Sequence, residues 1–233
     1  MKIFVVSMLF WGALLLAGPV AGQLAGRTSN LLPMFGGLAK GPELRKADED
    51  FLASCDKNFP SRPEASRQFA ARVWEHMAAN DPTTAIKRFN QAWLLDSTNA
   101  SAHWGFGAIT GQRNQFDESL RFLTLSQRYD SANPRILVDV ALAHLNRYDA
   151  RKQTADLDAA IANLQLFLSA SLDAKIHAPA YAEAYLKLGA AYTLKQDYAA
   201  AWKYVDLAND TQPGVAQKQP WMRELKKQAP RKQ

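Results

Sequence analysis

The chain has 233 residues, of which 48% are hydrophobic and 21% are charged. This composition is ordinary for a globular protein and excludes a wholly disordered chain, because enough apolar side chains are present to build a core. Lysine and arginine (28) exceed aspartate and glutamate (22), which gives a net charge of +6. Part of this mild excess lies in the C-terminal tail, so we expect no nucleic-acid-binding surface, which would concentrate positive charge on one face or helix.

The N-terminus has the three-part organisation of a secretory signal peptide. Lys2 supplies the positive charge, the next 15 residues form an apolar run, and small residues follow at Val20 to Gly22. The run is short for a membrane span, which needs about 20 residues. We expect residues 1–22 to be removed by cleavage after Gly22. The mature protein would then be periplasmic or secreted, without stable membrane insertion; the alternative is an uncleaved signal anchor.

Two segments precede the regular part of the chain. Residues 23–42 are rich in glycine and proline and predict an irregular arm or linker. Residues 43–65 predict a short helix and a connection, because helical apolar spacing is followed by Pro60 and Pro63, which we expect to end the helix. Cys55 falls on the apolar spacing and predicts a small buried side chain; as the only cysteine it forms no intrachain disulfide.

From residue 66 onward the hydrophobic pattern is helical throughout, without period-two alternation or hairpin-turn signals. Two sets of three residues, each a small, a large apolar and a second small side chain, lie 34 residues apart: Ala85, Phe89, Ala92 and Ser119, Leu123, Ser126. Two further pairs of anchors follow, each after an interval of 41 residues: Ala160 and Leu164, then Ala201 and Val205. A recurring spacing of this kind predicts an all-α array of helical hairpins.

Residues 182–213 resemble a tetratricopeptide repeat (TPR), whose period is 34 residues. The matching residues are Tyr185-x2-Leu188-Gly189-x2-Tyr192, then Ala201-x3-Val205, Ala208 and Pro213. The resemblance implies a TPR-type α-solenoid of about four helical hairpins, with an N-terminal arm and a C-terminal capping helix. It also implies a right-handed superhelix whose concave groove binds a peptide or protein. We assign the repeats and the capping helix with its basic tail to 66–99, 100–133, 134–173, 182–213 and 214–233.

Two details of the repeats carry structural expectations. Each 41-residue interval has seven residues more than the family period, and we expect longer inter-helix loops around 148–156 and 174–180. Such loops often lie at a binding edge of a repeat array. Gly189 occupies the position at which we expect the two helices of the fourth repeat to approach most closely.

The resemblance implies that first-helix residues on the concave side determine which partner binds. By repeat register these are Arg67, Trp74, Trp104, Gln112, Arg135, Asp139, Glu183 and Lys187. The lysine and asparagine set that clamps acidic chaperone tails in cytosolic family members is not reproduced. The alternative for Trp74 and Trp104 is that they only pack between helices.

No pattern for catalysis, metal binding or phosphate binding occurs in the sequence: HExxH, a cysteine pair, a glycine-rich phosphate loop and G-x-S-x-G are all missing. We therefore predict a protein without cofactor or metal that is not an enzyme. The leading hypothesis is an exported scaffold for protein–protein or protein–peptide interaction. The alternatives are a structural array in the cell envelope that self-associates through an apolar end or through residues 23–42, and a ligand-binding or catalytic module.

Overall fold

The computed structural model describes residues 29–170 and 174–231, so the predicted signal peptide at 1–22 and its cleavage site lie outside the described residues. Within these ranges the chain forms ten α-helices and no β-strand. The helices are α1 Pro42–Asn58, α2 Arg62–Ala78, α3 Pro82–Leu95, α4 Ala100–Gln112, α5 Phe116–Tyr129, α6 Ile136–Arg151, α7 Thr154–Ser169, α8 Ala174–Leu194, α9 Tyr198–Thr211 and α10 Met222–Gln228. None of the helices in these ranges is long and apolar enough to span a membrane.

Helices α2 to α9 form four stacked hairpins, α2–α3, α4–α5, α6–α7 and α8–α9. Each hairpin turns through one residue with a left-handed backbone, namely Asn80, Asn114, Lys152 and Gln196, whose φ values are 57°, 59°, 54° and 62°. A single left-handed residue stops the first helix and allows the second to begin within two or three residues. The second helix of each hairpin then packs on the first helix of the next.

The predicted anchors form the core of this array. The small anchors are at most 2% exposed and the large anchors at most 3%: Ala85, Ser119, Ala160, Ala201 and Phe89, Leu123, Leu164, Val205. Close approach within the second hairpin requires a residue without a side chain, because a Cβ at Gly107 would lie 2.7 Å from Leu123 Cγ. The prediction of an all-α repeat solenoid is confirmed.

The additional residues of the third and fourth repeats extend helices and do not form long loops. Only two residues separate α6 from α7, and the segment 174–180 is the beginning of α8. The extension is stabilised by burial, since Ala180 and Ala182 are each 1% exposed and the Tyr181 ring lies 5.5 Å from that of Phe167. The expectation of longer loops at 148–156 and 174–180 is therefore wrong.

The first hairpin begins earlier than expected, because Pro63 starts a helix. Ser61 caps α2 by accepting a hydrogen bond from the backbone N–H of Glu64 at 3.3 Å. Pro63 lies in the first turn, where a backbone N–H has no partner within the helix. Cys55, near the end of α1, is 5% exposed and packs beside Ala65. Its predicted burial is confirmed, and burial raises the pKa of the thiol.

Part of the predicted irregular arm lies on α3. Asn90, which is fully buried, donates from Nδ2 to the carbonyl oxygens of Asn30 at 3.2 Å and Leu32 at 3.0 Å. The Phe35 ring packs 6.3 Å from that of Trp93. These contacts fasten the described part of the arm to the first hairpin.

The C-terminal segment covers the last hairpin, with Met222 and Leu225 of α10 at most 4% exposed. Trp221 lies against α8, since a Cβ at Gly189 would be 2.7 Å from its Cη2. The atoms nearest to a Cβ at Gly189 thus belong to the capping segment and not to α9. That the two helices of the fourth repeat approach most closely at Gly189 stays a prediction. Trp202 donates from Nε1 to the carbonyl oxygen of Ala229 at 2.9 Å, which holds the chain beyond α10 against α9.

Candidate interaction groove

The first helices of the four hairpins, α2, α4, α6 and α8, contact one another in sequence and form one side of the array. Trp74 of α2 and Trp104 of α4 meet edge to face, with ring centroids 5.0 Å apart. The Trp74 ring also lies 5.5 Å from that of Phe89, and its Nε1 donates to Ser101 Oγ at 3.1 Å. Both indoles remain half-buried, unlike Phe89, which is fully buried.

Asp139 continues this contact from α4 to α6. Trp104 Nε1 donates to Asp139 Oδ2 at 2.5 Å. Burial raises the pKa of the Asp139 carboxyl above its ordinary value, and the hydrogen bond from Trp104 opposes this rise. The charge of Glu183 on α8 also raises the pKa, while those of Lys187 and Arg135 lower it. The carboxylate is therefore held in a partly desolvated site by one strong hydrogen bond.

On α8, Lys187 Nζ forms an ion pair with Glu183 Oε1 at 2.8 Å, and the lysine side chain is 16% exposed. Both residues interact electrostatically with Asp139. The four first helices thus carry one row of side chains, joined by direct contacts from Trp74 to Asp139 and by charge from Asp139 to Glu183 and Lys187. We call this row the inner ladder: Trp74, Trp104, Asp139, Glu183 and Lys187.

Three further residues were expected beside this row. Arg135 precedes α6 and lies one turn before Asp139, close enough for its charge to act on the carboxyl. Arg67 is 65% exposed in its side chain and pairs with Glu64 on the same helix. Gln112 is the exposed last residue of α4. Of the three, Arg135 interacts with the ladder through Asp139. Arg67 lies seven residues before Trp74 on the same side of α2 but pairs with Glu64, and Gln112 ends α4 two turns beyond Trp104.

No protein-family model and no curated protein sequence matches the chain. A crystal structure of MamA is similar to it with a TM-score of 0.50 and 18% sequence identity, covering 77% of this chain and 99% of that one. This likeness shows the fold, and the buried anchors match the repeat positions expected from the sequence. The chain has a tetratricopeptide-repeat fold. A second MamA structure has a TM-score of 0.49 at 17% identity, covering 85% of this chain and 95% of that one. The structure of YrrB, described as a TPR protein with an unusual peptide-binding site, has a TM-score of 0.33 at 16% identity, covering 72% and 95%.

Two exposed leucines of the TPR array, which were not among the expected groove residues, share the helix faces of the inner ladder. Leu142 is 37% exposed and lies three residues after Asp139; Leu194 is 48% exposed and lies seven residues after Lys187. Residues spaced by three, four or seven positions lie on one side of a helix. Continuing the register by one or two turns from the predicted residues would have found both.

A second polar cluster joins α5, α6 and α7 of the TPR array. Asp156 is 2% exposed; its Oδ1 accepts from Arg147 Nε at 2.9 Å and contacts His144 Nδ1 at 2.8 Å. Arg147 also donates to Asp117 at 2.8 Å. Burial opposes ionisation, but the hydrogen bonds from Arg147 and His144 outweigh it and lower the pKa of Asp156. This cluster is a structural tie between helices. In the part of the chain that the structure describes, no group of three or more histidine, cysteine or acidic residues could hold a metal ion.

Proposed function

We propose that this TPR array is a non-catalytic scaffold that binds an exposed segment of a partner protein along the inner ladder. The observation that supports this most directly is the half-buried pair Trp74 and Trp104 beside the carboxylate of Asp139. Partly exposed aromatic side chains next to a fixed polar group are typical centres of binding energy at protein interfaces.

The tryptophans also stabilise the array, but packing does not account for the whole arrangement. The inner ladder keeps open surface on α2, α4, α6 and α8, and exposed Leu142 adds apolar surface beside it. An extended or helical segment lying along these helices would cover the aromatic rings and the leucine together. Such a groove suits a peptide better than a small metabolite, because its polar and apolar groups are distributed over four helices.

Substitutions that separate binding from folding test this proposal. The double variant Trp74→Ala, Trp104→Ala should lose proteins that the parent captures from native cells, while Trp202→Ala, on the outer helix α9, should retain them. Removing an interface anchor typically costs about 2 kcal/mol or more of binding free energy. Melting temperatures of all variants are measured in parallel.

A second variant keeps the test decisive if the double variant unfolds. Leu142→Glu places a charge on the groove without removing core atoms, and Leu166→Glu is its matched control, because Leu166 is 54% exposed on the outer helix α7. Loss of capture by Leu142→Glu alone supports the groove. Equal capture by the two glutamate variants would refute it.

We further propose that the scaffold acts in the periplasm or outside the cell, on the basis of the signal-like sequence at residues 1–22. A partner in that compartment would be an extracellular peptide or an exposed segment of an envelope protein.

A self-associating array remains the second candidate because three exposed leucines lie near the N-terminal end. Leu32, Leu38 and Leu44 are 41%, 52% and 36% exposed. Clustered apolar surface of this kind often marks a contact between proteins. Light scattering after size-exclusion chromatography decides this: a mass above the monomer that returns to it when the three leucines become serine would favour self-association.

A further inference from the structure

We propose that the groove accepts a lysine or arginine side chain of the partner segment at Asp139, with an apolar neighbour of that residue on Leu142. This inference rests on the proposed function and names the chemistry of the segment that binds.

Asp139 has one oxygen engaged and one available. Oδ2 accepts from Trp104 Nε1, whereas Oδ1 accepts no hydrogen bond from the residues that the structure describes. The Asp139 side chain is only partly buried. A carboxylate oxygen has two lone pairs and prefers charged donors, which form shorter and stronger hydrogen bonds than neutral ones. Oδ1 is therefore the oxygen of this inner-ladder carboxylate that is left for a donor from the partner.

The cations near Asp139 leave its charge without an ion pair among the described residues. Lys187 is engaged with Glu183 at 2.8 Å, and Arg135 acts on the carboxyl only through its longer-range charge. A partner that covered Asp139 without supplying a donor would desolvate this charge further, which is costly. An acidic partner residue would in addition be repelled by both Asp139 and Glu183. Lys187 and Arg135 oppose a basic residue only through their charges at longer range, whereas Asp139 offers it a direct charge-assisted hydrogen bond, which is stronger than one from a neutral donor. A basic residue therefore gains more from this position than a neutral or an acidic one.

The surroundings also fit the shape of a basic side chain. Lysine and arginine carry a long aliphatic stem below the charged end, and such stems pack along apolar surface. Trp104 beside the carboxylate and Leu142 one turn further along α6 provide this surface. The two side chains also provide a seat for an apolar residue that neighbours the basic one in the partner.

A library of random peptides displayed on phage, selected against the full mature chain, tests the inference. We expect the selected peptides to share one lysine or arginine position next to an apolar residue. Synthetic copies, titrated by isothermal calorimetry, should bind Asp139→Asn roughly tenfold more weakly or worse, the range expected for a charge-assisted hydrogen bond. Replacing the basic residue of the peptide by norleucine should have a similar effect without any change in the protein. Asp158→Asn is the matched control, since Asp158 is an exposed carboxylate on the outer helix α7.

The outcomes distinguish this inference from the proposed function. Peptides that need Trp74, Trp104 or Leu142 but share no basic residue, or bind Asp139→Asn as well as the parent, would overturn the basic-residue inference and leave the groove in place. If no peptide is selected, or none depends on the groove, both proposals fail. Equal weakening by Asp158→Asn and Asp139→Asn would also overturn the inference, because it would reflect general charge.

Discussion

Two buried or half-buried aspartates on adjacent helices show opposite electrostatic environments. Asp139 on α6 has a raised pKa because its burial and the charge of Glu183 outweigh the hydrogen bond from Trp104 and the charges of Lys187 and Arg135. Asp156 on α7 has a lowered pKa because Arg147 and His144 outweigh its burial. A charge that the fold destabilises, located in a groove, is characteristic of binding sites, whereas a charge paired with basic side chains between helices stabilises the fold. At Asp156 the pairing is made through Oδ1, while the buried Oδ2 has no hydrogen bond among the described residues.

We expect Asp139→Asn to leave the free energy of unfolding at pH 7 unchanged or to increase it. Asparagine keeps an acceptor for Trp104 and removes the half-buried charge. Because the folded-state pKa of Asp139 is raised, the protonated carboxyl stabilises the folded state. This stabilisation is complete at pH values below the pKa of the unfolded chain, and it is lost as the pH rises through the raised folded-state pKa. The advantage of the variant should therefore grow with pH over that window. Urea unfolding at a series of pH values between 3 and 7 measures the difference in free energy of unfolding between the variant and the parent. A variant that is markedly less stable than the parent at pH 7 would contradict the prediction.

Asp156→Asn is the matched comparison and should have the opposite effect. It removes a carboxylate that is held by two basic side chains, at a cost of about 1–3 kcal/mol. Because the pKa of Asp156 is lowered, its contribution is present above the unfolded pKa and is lost as pH falls through the folded value. Destabilisation by the variant should thus disappear in acid, while peptide binding at neutral pH is unaffected.

At the scale of the helices, the sequence predicted what depends on local spacing. The anchors at 34- and 41-residue intervals were identified because small and large buried residues recur on one face of each second helix. The extra residues were misassigned to loops because a turn of two residues through Lys152 has no glycine or proline to mark it. Likewise, α8 continues through Pro179 inside the helix, and Ala180 and Ala182 beside it are buried in the core.

The candidate site was predictable in part for the same reason. Register alone identified Trp74, Trp104 and Asp139 as residues of one face. The hydrogen bond between Trp104 and Asp139 was not predictable, because it depends on how far neighbouring hairpins rotate against each other. That rotation is set by packing between hairpins, and the sequence motif of a single repeat does not specify it.

Gly189→Ala should destabilise the last hairpin through the capping segment. The added Cβ would lie 2.7 Å from Trp221 Cη2, and overpacking of this kind typically costs about 1–3 kcal/mol. In a Trp221→Ala background the same substitution should cost far less, because the clashing ring is gone. Gly41→Ala is the control, since no atom lies within 4 Å of a Cβ there. Thermal unfolding of the four variants measures the coupling, and additive costs at Gly189 and Trp221 would contradict the assigned contact.

At the scale of the whole molecule, the fold of stacked hairpins makes each repeat depend mainly on its neighbours. The inner ladder differs from this nearest-neighbour pattern, because its side chains come from all four first helices. A partner bound along it would contact every repeat at once, so binding should stabilise the array as a unit.

We expect the exported protein to begin at Gln23, because the small residues Val20 and Gly22 flank a break that follows the apolar run. Intact mass spectrometry of protein from the producing cells measures the N-terminus. Recovery of the chain with Met1 to Gly22 retained, in a membrane fraction, would instead establish a signal anchor.

The segment that carries Trp221 and Leu225 has a consequence for assembly. In a linear stack of hairpins, an uncovered end face is a template on which another hairpin can add. Here Trp221 occupies the face of α8 at Gly189, and the chain beyond α10 is tied to α9 through Trp202. A second copy could not join at this end without first displacing the segment from both helices. The capping segment therefore blocks end-to-end addition of a second copy on α8 and α9, and any polymerisation would have to proceed from another surface.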